Sequence, residues 1–165
     1  MYHLLYAFAH WLENTGWALN ISGSTWAYPY VQLIHFTGLS LWVGTNVAVD
    51  LHLLGIGSKR LTSAELNDSL FAWNWTGLAI AVTGGFMLFA TAATDFMINP
   101  AFRLKLGLLV PLGIILHIVV QQKTRTWGQT KDTPGVAKFM GALELLWWFA
   151  VATAAASIPY FEHVG

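Results

Sequence analysis

Leu70–Thr94 reads LFAWNWTGLAIAVTGGFMLFATAAT, without one charged side chain. About 20 mostly apolar residues are enough for a helix to cross the hydrocarbon core of a bilayer. Three further stretches resemble it. One covers residues 28–54 and carries His35, Asp50 and His52; another covers 102–122, with Arg103 and Lys105 near its start; the last covers 139–161 and is interrupted only by Glu144. Backbone polar groups in lipid must be satisfied within the spanning segment, and no two-residue alternation supports a barrel. The expected fold is therefore an all-α membrane protein: an up-down-up-down bundle of four transmembrane helices near 28–54, 70–94, 102–122 and 139–161. The short turn Asp95–Pro100 makes its second and third helices antiparallel neighbours.

The composition agrees. The 165 residues are 56% hydrophobic and 10% charged, with no net charge, and the mean hydropathy is +0.55. Soluble domains run near a quarter charged. No basic field exists to hold nucleic acid. Cysteine is absent, which excludes disulfides, thiolate metal sites, iron–sulfur clusters and covalent haem attachment. No nucleophile elbow or phosphate-binding loop is present, and Gly55-Ile56-Gly57 is not followed by a nucleotide fingerprint. No inverted repeat of a secondary transporter is detectable.

Residues 1–24 read as a separate interfacial segment ahead of the transmembrane domain at 25–165. Leu4, Leu5, Phe8, Trp11 and Leu12 share one helical face, with His3, Ala7, His10 and Asn14 on the other. The stretch is too short to span, reads as lying in the interface, and is a poor signal peptide because no Lys or Arg precedes it. Thr15 to Ser24 is expected to turn the chain towards the membrane. Lys59, Arg60, Lys123, Arg125, Lys131 and Lys138 fall in two alternate connections, against Arg103 and Lys105 on the other side. The positive-inside rule then puts those connections in the cytoplasm and both termini in the periplasm. Tyr28, Tyr30, Tyr160 and Phe161 would join the outer aromatic belt.

Several strings carry a family likeness: Trp11-Leu12-Glu13, Tyr28-Pro29, His35-Phe36-Thr37-Gly38-Leu39 and Val49-Asp50-Leu51-His52-Leu53-Leu54-Gly55. Later come Trp73-Asn74-Trp75-Thr76-Gly77, Thr83-Gly84-Gly85, Asn99-Pro100-Ala101-Phe102-Arg103-Leu104-Lys105 and Pro159-Tyr160-Phe161. Together they resemble a bacterial family of small four-span inner-membrane proteins catalogued as a domain of unknown function. The resemblance implies four helices and a bacterial inner membrane, and no established activity. The chain departs from that family's pattern at Gln32, His52 and Glu144.

Ionisable groups inside a bilayer are costly and usually functional, and His35, His52 and His117 all lie within expected spans. They are the candidate axial ligands of one or two non-covalent b-type haems, for which bundle cores are recurrent sites. Gly38, Gly44, Gly77, Gly84, Gly85, Gly107 and Gly113 would make room for the porphyrin, or serve packing alone. His52 and His117 differ in depth by roughly 5 Å, whereas His35 and His117 differ by on the order of 20 Å. The reading is an inner level of His52 and His117, oriented by Asp50 and Glu144 as neighbouring carboxylates, and an outer level at His35. The second ligand of the outer level would come from His10, His163 or Met97.

This points to a membrane cytochrome, or a cytochrome subunit of a larger redox complex or homo-oligomer, rather than a stand-alone enzyme. Two alternatives stay open. The inner residues could bind a non-haem metal, although the Glu-x-x-His spacing of ferritin-like sites is absent. Or the chain is a non-redox accessory subunit whose polar side chains hold helices together, with Asp50 paired to Lys59 or Arg60.

Overall fold

The computed structural model describes residues 2–57, 60–129 and 132–161, and every regular element in them is helical. Helices α1 (Tyr2–Glu13) and α2 (Gly16–Gly23) precede the long α3 (Ala27–Leu53) and α4 (Ser63–Ala90). Two short helices follow, α5 (Ala93–Ile98) and α6 (Pro100–Leu104). A wide π turn over Lys105–Leu109 leads into α7 (Val110–Trp127), and α8 (Gly135–Ser157) ends in a 3-10 turn over Ile158–Phe161. Helix α3 packs along α4, α4 on α7, α7 on α8, and α8 back on α3. Pro100–Trp127 and Gly135–Phe161 are long and apolar enough, by length and composition, to cross a membrane.

Local chemistry sets the helix boundaries, and several differ from expectation. Helix α4 begins at Ser63 rather than Leu70 because Thr62 and Glu65 form a capping box. Thr62 Oγ1 accepts from the Glu65 amide at 3.2 Å, and Glu65 Oε2 accepts from the Thr62 amide at 2.8 Å, satisfying two orphan donors. Helix α3 closes in a Schellman motif. The Ile56 amide donates to Leu51 O at 2.9 Å and the Gly55 amide to His52 O at 3.0 Å, with Gly55 at φ +83°. A left-handed residue there favours glycine, which explains the Asp-Leu-x-Leu-Leu-Gly string.

The expected turn at Asp95–Pro100 is mostly the helix α5, and Thr15–Ser24 mostly the helix α2. Asn99 joins α5 to α6: its Oδ1 accepts from the Ala101 and Phe102 amides at 3.0 and 3.1 Å, while its Nδ2 donates to Ile158 O at 2.9 Å. One buried side chain therefore caps a helix and anchors the end of α8. Asn99→Ala is expected to cost about 2 kcal/mol, the upper range for a lost cap, measured as a fall in the thermal midpoint in detergent. Pro111 has no amide hydrogen and crowds the carbonyl one turn earlier. The backbone widens just before it, so that the Val110 amide reaches back to Lys105 O. The Trp147 indole donates to Leu109 O at 2.8 Å and ties α8 to this irregular turn.

Helix α1 docks through Ala9 and Leu12, which are buried with Ala18, Ala90 and Ala93. Glu13 accepts from the Thr94 amide at 3.0 Å and from its hydroxyl at 2.7 Å, holding α1 on α5. Leu12 therefore turns away from the expected apolar face, while Leu4, Phe8 and Trp11 stay exposed. The outside of the bundle is apolar as well. Leu33, Ile34 and Phe36 on α3, Trp73, Val82 and Phe86 on α4, and Leu146 and Phe149 on α8 are all exposed.

Glycines set the closest helix crossing. A Cβ at Gly38 would lie 2.8 Å from Ala81 Cα, and one at Gly77 would lie 2.6 Å from the Trp42 amide nitrogen. Backbone fills these spaces, as small residues at helix crossings allow. His35 fills the space beside Gly84 and Gly85, and Trp147 and Trp148 that beside Gly113; only Gly44 and Gly107 of the seven candidate glycines face open space.

Candidate functional site

The interior of the α3–α4–α7–α8 ring is polar at one level. Thr45, Asn46 and Asp50 come from α3, Asn67 and Asn74 from α4, His117 and Gln121 from α7, and Glu144 from α8, and all are buried. The spacing of each group brings it to one face: Asn46 and Asp50 are one turn apart, as are His117 and Gln121, and Asn67 and Asn74 are two turns apart.

His117 is the hub. Its Nδ1 lies 2.6 Å from Glu144 Oε1, and its Nε2 lies 3.0 Å from Asn74 Oδ1. The orientation of Asn74 decides the tautomer. Thr45 Oγ1 donates to the carbonyls of Leu41 and Trp42 at 2.9 and 2.8 Å, so it accepts from Asn74 Nδ2 at 2.9 Å. Asn74 Nδ2 also donates to Asn46 Oδ1. The amide oxygen of Asn74 is thus turned to His117, and Nε2 must carry a hydrogen to donate to it. The proton of the short Nδ1···Oε1 contact then belongs to the pair, on either side of the bond.

Aromatic rings enclose this pair. Trp42 stands edge-on to His117 with centroids 6.0 Å apart and to Trp148 at 4.4 Å, and Trp75 lies 6.0 Å from His117. The Trp148 indole donates to Glu144 Oε1 at 3.3 Å, and the Trp75 indole to Gln121 Oε1 at 3.0 Å. Below the pair lies a cavity of about 10 Å³, lined by Asn46, Asp50, Asn67, His117, Gln121 and Glu144 among others.

The chain belongs to the DUF6644 family, a family of unknown function. The match covers residues 8–161, so the polar centre and every string behind the family likeness lie within the family region. No curated protein and no solved structure matches the chain.

The other expected ligands lie elsewhere. His52 is half-buried at the end of α3, with its Nδ1 2.9 Å from Ser63 Oγ. His35 is half-buried on α3, and its Nδ1 donates to Ala81 O at 2.7 Å. His10 is exposed on α1, and Met97 packs beside Ala9 and Leu12. His163 lies outside the described residues. The structure brings Glu144 to His117 and sets Asp50 on the same cavity. His52 meets Ser63 near the end of α3, whereas both ring nitrogens of His117 are engaged by Glu144 and Asn74. Among the described residues no three His, Asp or Glu converge on a common point as metal ligands do.

Thr45, Asn46, Asn67, Asn74 and Gln121 were not among the expected site residues. Their signal was present in the sequence: uncharged polar residues at helical spacing inside apolar stretches, each costly in lipid unless partnered.

Proposed function

We propose that this chain is a four-span membrane protein whose His117–Glu144 pair, with Asp50 beside it, is a proton-binding centre in the membrane interior. The observation that carries this reading is the orientation of Asn74, which leaves one proton shared between His117 Nδ1 and Glu144 Oε1. Imidazole paired with carboxylate is a recurring proton relay in membrane proteins, and the Trp enclosure keeps the proton from exchanging at random. Helices α3 and α4 join α7 and α8 as spans in this reading. Their large exposed residues include Leu33, Ile34, Phe36, Trp73, Val82 and Phe86, and the exposed Thr37 and Thr83 turn their hydroxyls back to the Leu33 and Ala79 carbonyls, which supports a lipid-facing side. The clustering of positive charge in two alternate connections supports a topology with those connections in the cytoplasm and the termini outside. Asp50 lies roughly 5 Å from the cytoplasmic end of α3 at 1.5 Å per residue, so the centre opens most readily towards that side. With little protein outside the bundle, it would act within a larger complex of the bacterial inner membrane.

Infrared spectroscopy of the protein in lipid tests the proposal. An interior carboxyl C=O band is expected to respond when the bulk pH is stepped across the range in which carboxyl and imidazole groups ordinarily titrate, and Glu144→Gln is expected to lack that response. If the interior carboxyl bands stay constant across that range, the centre does not exchange protons and the reading fails.

A second reading, haem b electron transfer, is favoured by one observation. The Nδ1 of His35 is held by a backbone carbonyl, the arrangement that presents Nε2 as the ligating nitrogen. His35 would hold the iron on the outer half, and a bound haem would supply one-electron transfer. Reduced protein should then show b-type bands that His35→Ala removes. Mildly purified, folded and colourless protein would remove this reading.

A further inference from the structure

The cavity under His117 and Glu144 has an unbalanced wall. Asp50 Oδ2, Asn46 Nδ2 and Asn67 Nδ2 are buried and have no protein partner, on side chains only 1%, 3% and 3% exposed. Such orphans are rare, because an unpaired buried polar atom costs roughly as much as a lost hydrogen bond. All three side chains line the same cavity. A carboxyl oxygen needs a hydrogen-bond partner, and two amide nitrogens need an acceptor. Water offers both, and about 10 Å³ is close to the least space that one molecule needs.

We propose that one water molecule fills this cavity, hydrogen-bonded to Asp50 Oδ2 and to the amides of Asn46 and Asn67. It thereby joins Asp50 to the wall shared with His117 and Glu144. A bare metal cation fits less well. Asn46 Oδ1 already accepts from Asn74 Nδ2, so Asn46 has only its amide hydrogens left for the cavity, and these repel a cation. That this water extends the proton-binding centre to Asp50 rests on the reading above; its presence does not.

The test is the O–H stretching region of the infrared spectrum, recorded for the protein in lipid in ordinary and ¹⁸O-labelled water. One band from a buried water should shift with the isotope. It should disappear in Asn67→Leu, which fills the cavity, and move in Asp50→Asn, which keeps the shape and changes the hydrogen-bond partner. The second variant serves if the first does not fold. No isotope-sensitive band in the folded wild type, or a band untouched by both substitutions, overturns the proposal. A thermal midpoint raised by sodium chloride but not by choline chloride would assign the cavity to a cation and also overturn it. The two readings separate cleanly: an isotope-sensitive band without any titrating carboxyl keeps the water and removes the proton-binding centre, and a titrating carboxyl without the band does the reverse.

Discussion

Glu144→Ala is expected to destabilise the protein by about 3–5 kcal/mol, the usual cost of removing one partner from a buried ionisable pair. Glu144 is 1% exposed, and its Oε1 meets both His117 Nδ1 and the Trp148 indole. Truncation opens a cavity and leaves those two groups without their carboxylate partner. Glu144→Gln keeps the shape and should cost far less while abolishing the shared proton. The double substitution His117→Leu with Glu144→Leu should recover much of the loss, because apolar replacement of a whole buried pair is often close to neutral. Thermal unfolding of the wild type, His117→Leu, Glu144→Leu and the double variant in one detergent gives the coupling directly. Additive single losses would mean that the two side chains do not act as a pair.

Gly77→Val is expected to cost about 3 kcal/mol, at the upper end for overpacking, and to loosen the polar centre as well. The first atom added at Gly77 would lie 2.6 Å from the Trp42 amide nitrogen and 3.1 Å from Gly38 O. These are backbone atoms and cannot swing aside, so α3 and α4 must part. Asn74 is one turn from Gly77 and bonds Thr45 and Asn46 across the same crossing, so the parting reaches the bond that orients His117. Gly44→Ala is the control. Nothing lies within 4 Å of a Cβ there, and alanine within a helix should stabilise by about 0.5–1 kcal/mol. Thermal midpoints, with the carboxyl infrared band as a readout of the centre, check both. An unchanged midpoint in Gly77→Val would show that the crossing is looser than this packing.

Much of the candidate site was legible one residue at a time, but not as an assembly. His117, Glu144 and Asp50 stand out because ionisable side chains inside apolar stretches are expensive, and all three line one cavity. The pairing of His52 with His117 was drawn from depth along the helix alone. Counting residues from an assumed span end fixes depth only loosely, and rotation about the helix axis not at all. His52 turns to Ser63, whereas His117 turns to Glu144 and to Asn74, three turns further along α4 than Ser63, so the two histidines differ in height as well as in direction. The glycines misled for a related reason: a missing side chain signals a close approach without saying what approaches, and at Gly38 and Gly77 it is backbone.

By itself the sequence determined that the chain is helical, since mostly apolar stretches of this length without two-residue alternation admit little else. It also determined the local stops and starts, because caps are written in neighbouring residues: Thr62 with Glu65, Gly55 after α3, Asn99 before Pro100. Only the tertiary structure decided which faces turn inward. Helices apolar on most sides carry too weak a periodicity to say so, and the choice falls to polar side chains seeking partners on other helices. Asn74 shows the difference. Its residue type is local, but the direction of its amide, and with it the proton between His117 and Glu144, is set by Thr45 and Asn46 across the α3–α4 crossing.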